Sequence, residues 1–108
     1  MKKKIYLFCS AGMSTSLLAS KMQKVADEHK LPVIVAAFPH SQIDKIIQEE
    51  NPDCILLGPQ VKYLYKETSE KFKDLNKPIA VIDSQAYGLM DGEKVLKNAV
   101  MLIKQNNK

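Results

Sequence analysis

The sequence predicts an α/β fold, an open four-stranded parallel sheet in the order 2-1-3-4 with helices on both faces. Three observations predict it. Four short apolar runs recur along the 108 residues: Ile5-Tyr6-Leu7-Phe8, residues 33–38, residues 54–57 and residues 79–82. Segments with apolar residues at helical spacing lie after each run. Turn formers stand at the junctions, as Leu31-Pro32, Pro39, Asn51-Pro52, Gly58-Pro59 and Lys77-Pro78. Strands alternating with helices imply a parallel sheet covered on both faces and joined by right-handed crossovers. Placing strands 1 and 3 side by side reverses the crossover direction between them. Ligands of such sheets bind in that crevice, beyond the carboxyl ends of the strands.

The first strand runs from Lys4 to Phe8 or Cys9, nearly all apolar, as suits a strand buried on both faces. Leu18, Met22 and Val25 then recur at i, i+4 and i+7, which predicts an amphipathic helix over residues 15–29. Leu31-Pro32 ends it. The second strand, residues 33–38, is dense in Val and Ala. Ser41 is the expected N-cap and Asp44 a first-turn acid for a helix using Ile43, Ile46 and Ile47. Residues 54–57 form the third strand, ended by Gly58-Pro59. Val61, Leu64, Tyr65, Thr68 and Phe72 mark a third helix, with Gln60 read as its cap. Residues 79–82 make the fourth strand, and residues 83–88 read as a loop. The last helix begins near Asp91 or Gly92 and carries Val95, Leu96, Ala99, Leu102 and Ile103, with residues 105–108 as a frayed tail.

Residues 1–108 fit one domain, with 45% hydrophobic and 26% charged residues, the balance of an ordinary globular chain. The net charge is +4, and every basic side chain is a lysine. Arginine dominates specific base contacts, so no nucleic-acid partner is expected. Cys9 and Cys54 form no Cys-x-x-Cys pair, which argues against a disulfide scaffold, a zinc site or a thioredoxin-like motif. No metal and no cofactor is expected. The apolar run ending at Phe8 is too short for a signal peptide. No stretch approaches the roughly 20 apolar residues of a membrane span, so no membrane insertion and a cytoplasmic location are expected.

Chemistry concentrates in Cys9-Ser10-Ala11-Gly12-Met13-Ser14-Thr15-Ser16. A strand, a loop of small residues and a helix make a phosphate cradle, because helix N-termini leave backbone N–H groups unpaired and carry the positive dipole end. Gly12 tolerates a positive φ, and Ser10, Ser14, Thr15 and Ser16 add hydroxyl donors. Cys9 heads the cradle, and the same field favours its reactive thiolate. Cys54, inside an apolar strand, reads as a structural thiol.

Three functions share this architecture. A response-regulator receiver needs carboxylates after the first strand and an acceptor Asp after the third. Cys9-Ser10 and Gly58-Pro59 stand there instead. A flavin carrier wants aromatics at the switch point, but Tyr63 and Tyr65 fall within the third helix. The third is a cysteine phosphoenzyme, of which low-molecular-weight tyrosine phosphatases share this general shape. These use Cys, five residues, then Arg, whose guanidinium clamps the phosphate bidentately. Here Thr15 holds the clamp position, and only Asp83 and Asp91 offer a general acid. A loop lacking the clamp suits a phosphoryl carrier better than a hydrolase.

Residues 5–18 also closely resemble the active-site segment of enzyme IIB of the bacterial phosphoenolpyruvate-dependent sugar phosphotransferase system, of the lactose/cellobiose (N,N′-diacetylchitobiose) type. The likeness continues through Ala37-Phe38-Pro39, Leu56-Leu57-Gly58-Pro59-Gln60, Val81-Ile82-Asp83-Ser84, Tyr87-Gly88, Asp91-Gly92 and Val95-Leu96-Lys97. It implies a protein-phosphocysteine–sugar phosphotransferase. Cys9 would take a phosphoryl group from phosphohistidine of the IIA partner and pass it to a β-disaccharide of cellobiose, chitobiose or lactose type, held by membrane IIC. The backbone from Ser10 to Ser16, with Ala11, Gly12, Met13, Ser14 and Thr15 between, would bind the phosphate. Met13 and Leu17 either contact the partners or cover the core. Gln60 is a further contact candidate, and Tyr87 either borders the phosphocysteine or is a hydrogen-bonded turn residue. His29 and His40 read as solvated helix-end residues, with His40 a distant second to Cys9 as phosphoacceptor.

Overall fold

The structure, a computed structural model of the chain, describes residues 2–10 and 12–106, and of Gly12, Met13 and Ser14 the backbone alone. Among these residues β1 (Lys3–Cys9), β2 (Val33–Pro39), β3 (Cys54–Leu57) and β4 (Ile79–Val81) form one parallel sheet in the order β2-β1-β3-β4. Helices α1 (Gly12–Glu28), α2 (Ile43–Glu50), α3 (Tyr65–Lys71), α4 (Ser84–Gly88) and α5 (Gly92–Asn106) join and cover the strands. The predicted fold class and strand order both hold.

Side chains of a strand alternate between faces, and β1 uses this fully. Ile5 and Leu7 enter one apolar layer with Leu18 and Met22 of α1 and Leu96 of α5. Tyr6 and Phe8 enter the other, with Ile43, Ile46 and Ile47 of α2 and with Val61. Cys54 and Leu56 of β3 follow the first layer, and Ile55 and Leu57 the second. Burying each large aliphatic or aromatic side chain contributes about 1.5–3 kcal/mol. Cys54 is fully buried, and burial pushes its thiol up to about 12, with the nearby Asp53 charge adding to the effect. It stays neutral at physiological pH, as a structural thiol should. On the open edge of β2, the Gln23 carboxamide accepts from Val35 N at 2.8 Å and donates to Val33 O at 2.9 Å. It satisfies edge groups that would otherwise pair with another strand.

Five local expectations are corrected. The first helix opens at Gly12, not at residue 15, so part of the expected loop is its first turn. First-turn N–H groups need no partner within the helix, and small residues there offer no steric reason to delay it. Ser41 does not cap α2. Residues His40–Gln42 form a 3₁₀ turn after extended Pro39, and Gln42 occupies the cap position without a side-chain bond. The third helix is divided, with Pro59–Leu64 in 3₁₀ geometry and a kink at Val61, so Gln60 lies within that segment and does not cap α3. Residues 83–88, read as a loop, include α4, because Asp83 Oδ2 accepts from Ala86 N at 2.9 Å and caps the turn. The C-terminal helix continues through Asn106, whose Nδ2 donates to Asn76 O at 2.6 Å. Asn107 and Lys108 lie outside the described residues.

α1 ends in a Schellman motif: Leu31 N donates to Ala26 O at 2.8 Å and Lys30 N to Asp27 O at 3.1 Å. This requires Lys30 to be left-handed, at φ 56°. An L-residue carries a steric penalty there that glycine escapes. Lys30 is exposed and has no packing to lose. Lys30→Gly is therefore expected to raise stability by up to about 1 kcal/mol in urea titration. A loss would contradict the strain.

Candidate functional site

The alternation that fills the core also aims Cys9. It continues the series Ile5, Leu7, Cys9 and so belongs to the face that α1 covers, at the carboxyl end of a central strand. Cys9 is 1% exposed. Its strand neighbours at that level are Pro39 of β2 and, beyond β3, Gly58, whose N–H donates to Phe8 O at 2.8 Å. A β-carbon on residue 58 would stand 3.2 Å from Cys9 Cβ. Glycine at 58 thus lets the β3 turn close against the thiol. That contact is a feature the sequence reading missed.

After Cys9 the chain bends at Ser10, which is exposed, and enters α1 at Gly12. This 17-residue helix begins three residues after the last residue of β1, and a helix start carries unpaired backbone N–H groups and the positive end of the dipole. Ala11 lies outside the described residues, as do the side chains of Gly12, Met13 and Ser14. Ser16 is exposed at the helix start, and Leu17 is 52% exposed.

Thr15 turns the other way. It is fully buried, with its Oγ1 3.0 Å from the Tyr87 hydroxyl. As a phosphate contact, then, Thr15 has its hydroxyl committed inward, which leaves its backbone N–H. Tyr87 is 8% exposed and ties α4 to the first turn of α1. The tyrosine hydroxyl is hydrogen-bonded, and the residue offers little surface to a docking partner. α1 is also met closely by α5, at Gly92. A β-carbon there would lie 3.0 Å from Lys21 C and Met22 N, so α5 starts in direct contact with the α1 backbone. A signal for Thr15 was present in the sequence. It shares the buried stripe of Leu18, Met22 and Ala26 at helical spacing.

The two carboxylates considered as general acids are both occupied as helix caps. Asp83 holds Ala86 N, and Asp91 Oδ1 accepts from Lys94 N at 3.1 Å. His29 is exposed beyond the last turn of α1, far along the helix from Cys9. His40 differs from its expected solvated state: it is half-buried with Nε2 3.4 Å from Thr68 Oγ1. Among the described residues no cluster of His, Cys, Asp and Glu is arranged to hold a metal, and no helix is long and apolar enough to cross a membrane.

The family described as PTS system, Lactose/Cellobiose specific IIB subunit matches residues 4–98. The galactose-specific EIIB component of Lactococcus lactis subsp. cremoris is 43% identical, over 94% of this chain and 96% of its own length. The cellobiose-specific EIIB component of Lactococcus lactis subsp. lactis is 42% identical over the same shares. The oligo-beta-mannoside-specific EIIB component of Bacillus subtilis is 36% identical, again over 94% and 96%. Among solved structures, the cellobiose-specific phosphotransferase IIB component of Borrelia burgdorferi superposes with a TM-score of 0.80 at 31% identity, covering 98% of this chain and 95% of that one. The lactose-specific IIB domain of Streptococcus pneumoniae gives 0.84 at 20% identity, over 94% and 98%, a likeness of fold.

Removing the Tyr87 hydroxyl leaves that of Thr15 buried without its partner, which costs about 1–3 kcal/mol. Tyr87→Phe should lower stability by that amount in denaturant titration. Thr15→Val combined with Tyr87→Phe should cost less than the two single changes together. Simple additivity would mean the pair does not brace the first turn of α1.

Proposed function

Because the chain belongs to the lactose/cellobiose-specific IIB family of the sugar phosphotransferase system, we propose that Cys9 is its phosphoryl acceptor. The family's activity is sugar phosphotransfer, and the chain is a sugar phosphotransferase of this kind, whose IIB components work with IIA and IIC partners. The observation that carries the Cys9 assignment is its position. A cysteine ends the central strand directly beneath the start of α1, at the switch point where the strand order reverses. The other cysteine lies inside β3 with its thiol held neutral.

In the first step the Cys9 thiolate attacks the phosphorus of phosphohistidine on IIA. The N–P bond breaks as the S–P bond forms, and the imidazole leaves. The backbone from Ser10 to Ser16 supplies N–H donors to the phosphoryl oxygens. In the second step a hydroxyl of the sugar on IIC attacks the same phosphorus, and the S–P bond returns its electrons to sulfur. Nothing in this sequence calls for water. The chain has no arginine to clamp the equatorial oxygens, and both carboxylates that might protonate a leaving group are tied into caps. That combination favours holding the phosphoryl group over hydrolysing it.

The acceptor we propose is a β-linked disaccharide, from the relatives named for cellobiose and for oligo-beta-mannosides. Docking of IIA and IIC would use Met13 and Leu17. Leu17 is half-exposed, and Leu89, which follows the α4 turn, is 72% exposed. Exposed apolar side chains of this kind gain from burial against a partner. A cytoplasmic location follows from the proposed IIA donor.

Incubation with phosphorylated IIA, read by intact-protein mass, should add one phosphoryl group per chain. Cys9→Ser should add none while keeping the fold, and Cys54→Ala should be labelled like the parent. Labelling that survives Cys9→Ser would overturn the assignment.

A further inference from the structure

Gln60 follows Pro59 in the 3₁₀ segment and is an exposed residue. Its side chain folds back over Gly58. A β-carbon on residue 58 would stand 2.8 Å from Gln60 Oε1 and 3.2 Å from Cys9 Cβ, so carboxamide and cysteine flank the same small space. Glycine at 58 keeps that space open. Gly58 itself is extended, at φ −63° and ψ 153°, a conformation any residue adopts. What the position requires is therefore room and not conformational freedom.

The carboxamide has nothing else to do there. Among the described residues Gln60 makes no side-chain hydrogen bond, either as a cap of α3 or across the sheet. A primary amide carries two N–H donors. Rotation about its terminal bond exchanges Oε1 and Nε2, and here no hydrogen bond opposes that rotation. α1 begins at Gly12, three residues after Cys9, whereas Gln60 reaches Gly58 from the turn after β3.

We propose that Gln60 is a phosphoryl contact, whose carboxamide swings to donate an N–H to a non-bridging oxygen once the phosphoryl group is on Cys9. This rests on Cys9 being the phosphoryl acceptor. The residue takes no part in bond making. The S–P bond forms as the N–P bond of the donor breaks, and Gln60 stabilises the charge on the transferred oxygens. A neutral amide donor in this place stabilises the resting phosphocysteine without the strong bidentate hold of an arginine. The phosphoryl group is thereby held and still released to the next acceptor.

The test uses the isolated phosphoprotein, in which no partner contributes. Parent, Gln60→Met and Gln60→Glu are labelled with phosphorylated IIA, freed of IIA, and followed by ³¹P NMR and by the rate of spontaneous dephosphorylation. Gln60→Met keeps the length and removes the donors. It removes a hydrogen bond made to the resting phosphocysteine, and so should shift the resonance and shorten the lifetime of the phosphoryl group by about tenfold. Gln60→Glu adds a charge that repels the phosphoryl oxygens and should shorten it further. Thermal midpoints of the unphosphorylated variants should match the parent. Two results would overturn the proposal. One is a resonance and lifetime unchanged in both variants, with only the rate of transfer from IIA reduced, which makes Gln60 a docking residue. The other is a change matched by equal destabilisation of the unphosphorylated fold. A parent protein that takes up no phosphoryl group on Cys9 would instead defeat the reading on which this one rests.

Discussion

A strand paired on both edges and covered on both faces has no solvent side, and Lys3–Cys9 is such a strand. It is hydrogen-bonded to β2 and β3 and enclosed by α1 and α5 on one face and by α2 and Val61 on the other. Alternation then leaves no freedom in where its last residue belongs. Ile5 and Leu7 are committed to the α1 layer, so a one-residue slip would put Tyr6 and Phe8 there instead and empty both layers. The register that buries the core therefore also brings Cys9 under the start of α1. The chemistry inherits its geometry from packing.

What surrounds the cysteine decides how a bound phosphoryl group is treated. Thr15, at the position where a cysteine phosphatase carries arginine, is turned into the core and bonded to Tyr87. Asp83 and Asp91 hold helix ends. The hydroxyls and carboxylates nearest the site thus shape and brace the cradle. The donors proposed for the phosphoryl group are backbone N–H groups, the exposed hydroxyls of Ser10 and Ser16 and the Gln60 amide, all neutral. Donors that bind a phosphoryl group as well in the ground state as in the transition state do not accelerate its loss. Such a site suits transfer between partners that each supply part of the chemistry.

The elements that were legible in the sequence are those whose local pattern and tertiary setting agree. The run Cys54–Leu57 was bounded correctly because apolar residues and flanking turn formers coincide. The start of α1 was misplaced because residues 12–14 are small and polar and read as loop, although they begin a helix whose buried stripe opens only at Thr15. α4 was missed for a related reason: five residues are too few to show a period, and the cap bond from Asp83 stabilises it. The place of Cys9 at the end of the first strand was legible from residue order alone. The Thr15–Tyr87 bond joins residues 72 apart, and the approach of Gly58 to Cys9 crosses between strands. Neither leaves a local trace, because both are set by the superposition of three layers.

The central claim is that Cys9 holds a phosphoryl group for transfer and does not turn it over. Hydrolysis of a simple aryl phosphate, compared with the fate of phosphoryl groups delivered by IIA, tests this most directly. The account predicts negligible aryl phosphate hydrolysis, since losing one transition-state donor typically costs about 100-fold or more. It also predicts a stable label of one phosphoryl group per chain, discharged when IIC-containing membranes and sugar are added. Steady multiple-turnover release of phosphate from the aryl ester, abolished by Cys9→Ser, would contradict it.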